Sequence, residues 1–146
     1  MKFGKRVLSA LLAACLTLSL LPGMAQASDT GHSFSDVSRD SWYREAVDFV
    51  YDRGLMGGTS STSFEPNTTT SRGMIVTILW RLEGRPEVSG GVTYEDVADT
   101  AYYAEAVQWA SSTDIASGYG RGQFGPDDPI TREQLTAMLY RYAGTP

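Results

Sequence analysis

With 146 residues, the chain has room for one ordinary domain or two very small ones. Its 12 Lys and Arg stand against 17 Asp and Glu, a net charge of −5, and three of the basic residues, Lys2, Lys5 and Arg6, lie at the very start. From residue 28 onward there are nine arginines, no lysine and all 17 carboxylates, a net −8. That balance argues against nucleic acid or an anionic membrane as partner, since both are held by clustered positive charge.

The first segment reads as a leader. Behind the positive start, Val7 to Leu21 is apolar apart from Ser9, Thr17 and Ser19. Pro22-Gly23 breaks the run, and Ala25-Gln26-Ala27 is a small-x-small cleavage site. This order predicts a secretory signal peptide over 1–27, cut after Ala27. The alternative, an uncleaved anchor, has only fifteen apolar-leaning residues, short of the roughly 20 that a span needs. Leu12-Ala13-Ala14-Cys15 has the look of a bacterial lipoprotein box, but Leu16 to Leu21 stays apolar where such a sequence turns polar. With cleavage the single cysteine leaves, so the exported chain has no disulfide or thiol chemistry and no membrane contact.

Beyond a short linker at 28–33 the chain repeats itself. Phe34-Ser35-Asp36-Val37 returns 60 residues later as Tyr94-Glu95-Asp96-Val97. The same offset carries Trp42-Tyr43 onto Tyr102-Tyr103, Gly58 onto Gly118, Phe64 onto Phe124, Pro66 onto Pro126 and Arg72 onto Arg132. It also carries Leu79 onto Leu139, Arg81 onto Arg141 and Gly84 onto Gly144. A register held this long defines two units, 34–84 and 94–144. They are joined by 85–93, where Pro86, Ser89, Gly90 and Gly91 read as a flexible connection.

Each unit reads as helix, loop, helix. In the first, Asp40 or Ser41 is placed to cap a helix from Trp42 to about Arg53, with Gly54 as its stop. Ala46, Val47 and Val50 share one face with Tyr43. A turn-rich loop, Gly57 to Ser63, leads to Phe64, which plugs back toward the core, and Pro66-Asn67 turns the chain. Ser71 opens the second helix, with Ile75, Ile78, Leu79 and Leu82 on its apolar side and Gly84 as its end. In the second unit Thr131 and Gln134 form a capping box, whereas the first unit has Met74 at that place. Nothing alternates at period two for long enough to argue for a sheet, so the fold class is all-α. One such unit of about 55 residues buries too little to stand alone, and the two are expected to pack on each other.

At these residues the chain resembles the S-layer homology family. That family's unit opens with aromatic-x-Asp-Val and a tryptophan or tyrosine pair before an Ala-Val helix. A Gly-rich loop, Phe-x-Pro-Asn/Asp and a helix opening of isoleucine, threonine, arginine, alanine and glutamate follow. The second copy here reads Gly118-Tyr119-Gly120-Arg121-Gly122-Gln123-Phe124-Gly125-Pro126-Asp127, then Ile130-Thr131-Arg132-Glu133-Gln134. The first reads Gly57-Gly58, Phe64-Glu65-Pro66-Asn67, then Thr70-Ser71-Arg72-Gly73-Met74. The resemblance implies a non-catalytic anchor that holds an exported protein on the cell wall by gripping a secondary cell-wall polysaccharide, often pyruvylated, in Gram-positive-type envelopes. It implies a pseudo-threefold spindle with ligand grooves between neighbouring units, of which two of the three units are present. A fragment, or completion by other chains carrying such repeats, would account for the third. The assembly reading, in which the repeats bind protein partners of their own kind, is the functional alternative.

The ligand residues so implied are Ser71, Arg72, Thr131 and Arg132 at the two helix starts, with Gly57, Gly58, Gly118 and Tyr119 in the loops. Unpaired N–H groups and the helix dipole favour an anion there, and a guanidinium can grip a ketal carboxylate through two parallel hydrogen bonds. Such a bond is worth roughly 1.5–3 kcal/mol, so one site binds weakly and several gain by effective concentration. Each residue also has a purely structural reading. Arg72 and Arg132 could pair with a carboxylate such as Glu133. Trp42, Tyr43, Tyr102 and Tyr103 could be sugar platforms or core, and Trp80 and Trp109 read as core or inter-unit packing. Asp36 and Asp96 read as bonded to a loop backbone, and Gly58 and Gly118 could supply positive φ. The family glutamate is replaced by Met74 and Gln134, and its alanine by Gly73 and Glu133. The single histidine, His32, has no second histidine or cysteine to join it, so metal and triad arrangements fail. No cofactor is expected.

Overall fold

The computed structural model describes residues 32–144. The signal peptide expected over 1–27, with Cys15, lies outside the described residues. Four helices follow in chain order: α1 (Arg44–Asp52), α2 (Arg72–Leu82), α3 (Ala104–Ser112) and α4 (Arg132–Tyr142). Among the described residues there is no strand, only isolated bridges at Ser71–Pro129 and Gly120–Gln123. The fold is all-α, with one helix–loop–helix unit per repeat.

The caps follow the sequence closely at the second helix of each unit. The Ser71 hydroxyl accepts from the Met74 N–H at 3.3 Å. Thr131 and Gln134 make the reciprocal box, at 3.3 and 3.2 Å. The first helices start later than expected, at Arg44 rather than Trp42, and Tyr43 caps without its side chain. The preceding backbone instead runs through turns, Ser41 N–H to Ser38 and Arg44 N–H to Ser41. Gly54 ends α1 at φ +62°, while Asp114 takes the same left-handed conformation after α3 at φ +58°, a position where Asp is among the tolerated residues.

Within each unit a carboxylate ties the entry loop to the loop ahead of the second helix. Asp36 accepts from the N–H groups of Phe64 and Glu65 at 2.9 and 2.7 Å and from the Ser63 hydroxyl. Asp96 accepts from Phe124 and Gly125 at 2.9 and 2.7 Å. The Phe64 and Glu65 amides hold the Asp36 carboxyl below its ordinary value. At Asp96 burial pushes upward, but the Phe124 and Gly125 amides outweigh it and the net direction is also down. Gly58 and Gly118 owe their identity to close approach, not to positive φ. A Cβ on Gly58 would collide with the Ser63 carbonyl and the Phe34 ring, and one on Gly118 with the Gln123 carbonyl and the Tyr94 ring.

The core straddles the two units. Val76, Leu79 and Trp80 of α2 pack with Ala106, Val107, Trp109 and Ala110 of α3, and with Ile115, Ala116, Phe124 and Met138. A smaller cluster, Phe34, Val37 and Val47 with Tyr43 and Phe64 against it, belongs to the first unit. Helix α2 therefore serves two neighbours, and its buried face differs from the one expected. Arg72, Gly73, Val76, Thr77, Leu79 and Trp80 are buried, whereas Ile75 and Ile78 are half-buried and Leu82 is exposed. Ala46, expected on the buried side of α1, is exposed. The buried Thr77 hydroxyl donates to the Gly73 carbonyl at 2.7 Å, which satisfies it within the helix.

Candidate ligand groove and the helix starts

A groove of about 470 Å³ opens on the first unit. One wall is the loop around Gly57, Gly58 and Thr59, another is Phe64 to Thr70, and the floor is the Met74, Ile78 and Arg81 side of α2. Tyr102, from the second unit, closes one end. The Arg81 guanidinium donates to the Leu55 carbonyl at 3.1 Å, which fixes one edge of a group with five N–H donors. The ionisation of the Tyr102 phenol is pushed up by burial and then by Tyr103 and Asp127. Tyr102 stays a neutral donor-acceptor at working pH, half-exposed and edge-on to Tyr103 at 4.9 Å. A positive group, a phenol, threonine hydroxyls and open backbone thus line one concave surface, the mixture expected where a polar ligand is oriented.

The structure separates the residues expected at the site. Gly57 and Gly58 line the groove, whereas Ser71 is not among its lining residues and its hydroxyl caps α2. Arg72 does not reach solvent. It is 4% exposed, and its Nε and Nη2 donate to the carbonyls of Phe124 at 3.2 Å and Ser117 at 3.0 Å. Its guanidinium carbon lies 4.5 Å from the Tyr119 ring centre and 4.8 Å from that of Phe124. Neither bond goes to a carboxylate. The charge is held by carbonyl dipoles and aromatic faces, which together compensate its desolvation. The start of α2 is closed as well, because the Arg72 and Gly73 N–H groups donate to the Asp128 and Pro126 carbonyls at 3.0 and 2.8 Å. Tyr119 belongs to this seam, whereas Gly118 packs within its own unit against the Gln123 carbonyl and the Tyr94 ring. Thr131 and Arg132 stand apart from both places, exposed at the start of α4.

The aromatic pairs divide: Trp42 and Tyr102 are exposed, Tyr43 and Tyr103 half-buried against the packed units. Arg81 was not singled out from the sequence as a site residue, although it recurs as Arg141, which repeats its bond by donating to Ile115 at 3.4 Å. His32 has a partner, with Nε2 2.6 Å from Asp48 Oδ1, and Asp48 also accepts from Arg44 Nε at 3.0 Å. Among the described residues no cluster of His, Cys, Asp and Glu is placed to hold a metal ion, and no helix is long and apolar enough to cross a membrane.

Two helix–loop–helix units that share a core and present an open polar groove define a tandem α-helical repeat module. The match to the S-layer homology domain, at residues 33–73 and 93–136, makes the family plain: the chain belongs to the S-layer homology domain family, and it is a cell-surface anchoring module of the cell wall. An endoglucanase of Bacillus sp. (strain KSM-635) is 33% identical over 94% of this chain and 15% of its own length. The surface-layer 125 kDa protein of Lysinibacillus sphaericus is 29% identical over 93% of this chain and 11% of its own. The middle cell wall protein of Brevibacillus brevis is 26% identical over 96% of this chain and 14% of its own. The chain thus spans a small fraction of each of these relatives.

Proposed function

We propose that the module anchors by non-covalent binding of a secondary cell-wall polysaccharide, with an acidic sugar substituent such as a pyruvate ketal seated in the groove of the first unit. The observation that carries this reading is the groove itself, in which Arg81, Tyr102 and the Gly57–Thr59 backbone converge. Arg81 supplies the charge that pairs with a carboxylate, Tyr102 and the threonines orient hydroxyls, and the side-chain-free Gly57-Gly58 backbone admits a sugar ring. Thr131 and Arg132 offer a second, more exposed anion contact at the start of α4. Arg72 and Tyr119 act from behind, holding the second unit so that Tyr102 stands at the groove's edge. The module itself performs no reaction: it binds and holds. Enzymes among its relatives share only a small part of their length with it, in keeping with an anchor attached to separate catalytic parts.

Cosedimentation with protein-free sacculi, intact and after acid extraction of the secondary polymer, tests this. Pelleting with intact sacculi, lost on extraction and reduced about tenfold or more by Arg81→Gln, is the expected result. Failure of the folded protein to pellet with intact sacculi would overturn the proposal.

A further inference from the structure

The groove of the first unit has an oxidisable floor. Residues 28–146 contain no cysteine and three methionines. Two of these, Met56 and Met74, line the groove and are half-buried. The third, Met138, lies in the shared core at 3% exposure. The positions 60 residues after the groove pair hold Ala116 and Gln134, so the pair of thioethers is peculiar to the first unit.

Both sulfurs belong to the surface that ends at the Arg81 charge. Met74, Ile78 and Arg81 stand at i, i+4 and i+7 of α2, which puts them on one face of the helix. Met56 follows Leu55, which also lines the groove and whose carbonyl accepts from Arg81 at 3.1 Å. One methionine thus comes from the helix that carries the guanidinium, the other from the loop that the guanidinium anchors. A thioether is flexible and polarizable, and it follows an irregular apolar surface. With no thiol to compete, a half-buried thioether is a ready target for a peroxide.

On the polysaccharide reading of the groove, on which this rests, we propose that Met56 and Met74 form a modification site through which hydrogen peroxide releases the anchor. A sulfur lone pair attacks one peroxide oxygen. The S–O bond forms as the O–O bond breaks, and water leaves with the two peroxide hydrogens. Each sulfur loses two electrons and each peroxide gains two. The sulfoxide is polar and chiral where the thioether was apolar. On the groove floor it is a strong acceptor that holds water where the sugar would displace it. At Met56 it also competes with the ligand's carboxylate for the N–H donors of Arg81. Met138 is shielded by the core, so the fold survives exposure that changes the groove. Two thiols return each sulfoxide to the thioether, with release of water and a disulfide, which makes the release reversible.

Peroxide-treated protein is mapped by peptide mass and tested for pelleting with protein-free sacculi. One added oxygen is expected at Met56 and at Met74 well before Met138, whose oxidation is expected to match theirs in urea. Pelleting affinity is expected to fall about tenfold or more with circular dichroism unchanged. It is expected to return after reduction by two methionine sulfoxide reductases, one for each epimer. The double variant Met56→Leu, Met74→Leu keeps an apolar floor of similar volume without sulfur. It is expected to pellet equally before and after peroxide, whereas oxidation elsewhere, at the 93% exposed Trp42 for instance, would leave it sensitive and overturn the proposal. Loss of helical signal on oxidation, or Met138 reacting as fast as the groove pair in the folded protein, would also overturn it. Oxidised protein that pellets as well as untreated protein overturns this inference alone. Untreated protein that fails to pellet overturns the polysaccharide reading, and the switch with it.

Discussion

The two repeats fold by the same plan and are not equally well built. Phe124 is fully buried in a core that draws on α2, α3 and α4, while Phe64 is half-buried beside the small Phe34, Val37 and Val47 cluster. The second repeat completes its core with a helix borrowed from the first; the first has only its own. Stability therefore concentrates at the junction, and position within the tandem decides burial as strongly as the residue itself.

Paired substitutions at equivalent positions sharpen this contrast. Phe124→Ala is expected to destabilise by about 3–5 kcal/mol and Phe64→Ala by about 1–2 kcal/mol, read as a shift of the urea midpoint. Next comes Arg72→Ala at about 2–3 kcal/mol, since it leaves the Ser117 and Phe124 carbonyls without their donors. Arg132→Ala is expected to stay within about 0.5 kcal/mol in dilute solution, where the residue is exposed. Equal losses at the two arginines would contradict the shared core.

The smallest effect lies in pH. Both carboxylates that tie the loops have folded-state values below the ordinary 3.8. A depressed value means their contribution is fully present above about pH 4 and is lost as pH falls through the folded value. Urea midpoints are expected to be flat above that point and to drop below it, with Asp36→Asn and Asp96→Asn each flattening the drop. A variant with both changes and an undiminished acid drop would assign the drop to other groups.

Much of this was legible in the residues. The 60-residue register, the Ser71 and Thr131–Gln134 caps and the loop-tying role of Asp36 and Asp96 are local or periodic, and sequence carries such signals. The fate of Arg72 is not local: an arginine at a helix start reads the same whether the start faces solvent or a neighbouring unit. Its burial depends on the seating of Tyr119 and Phe124 from 45 or more residues away. Helix α2 misled for the same reason, since a helix packed on two sides has no single apolar stripe. Arg81 gave a signal by recurring as Arg141, but its bond to Leu55 and the groove beside it exist only once the chain is folded.

The most direct measurement is a titration of the isotope-labelled protein with solubilised wall polysaccharide, followed through its backbone amide NMR signals. The account expects saturable shifts at Gly57, Gly58, Thr59 and Tyr102, weakened by Arg81→Gln, with the α3 amides unmoved. Binding whose shifts avoid the groove, or no shift at saturating polymer, would contradict it.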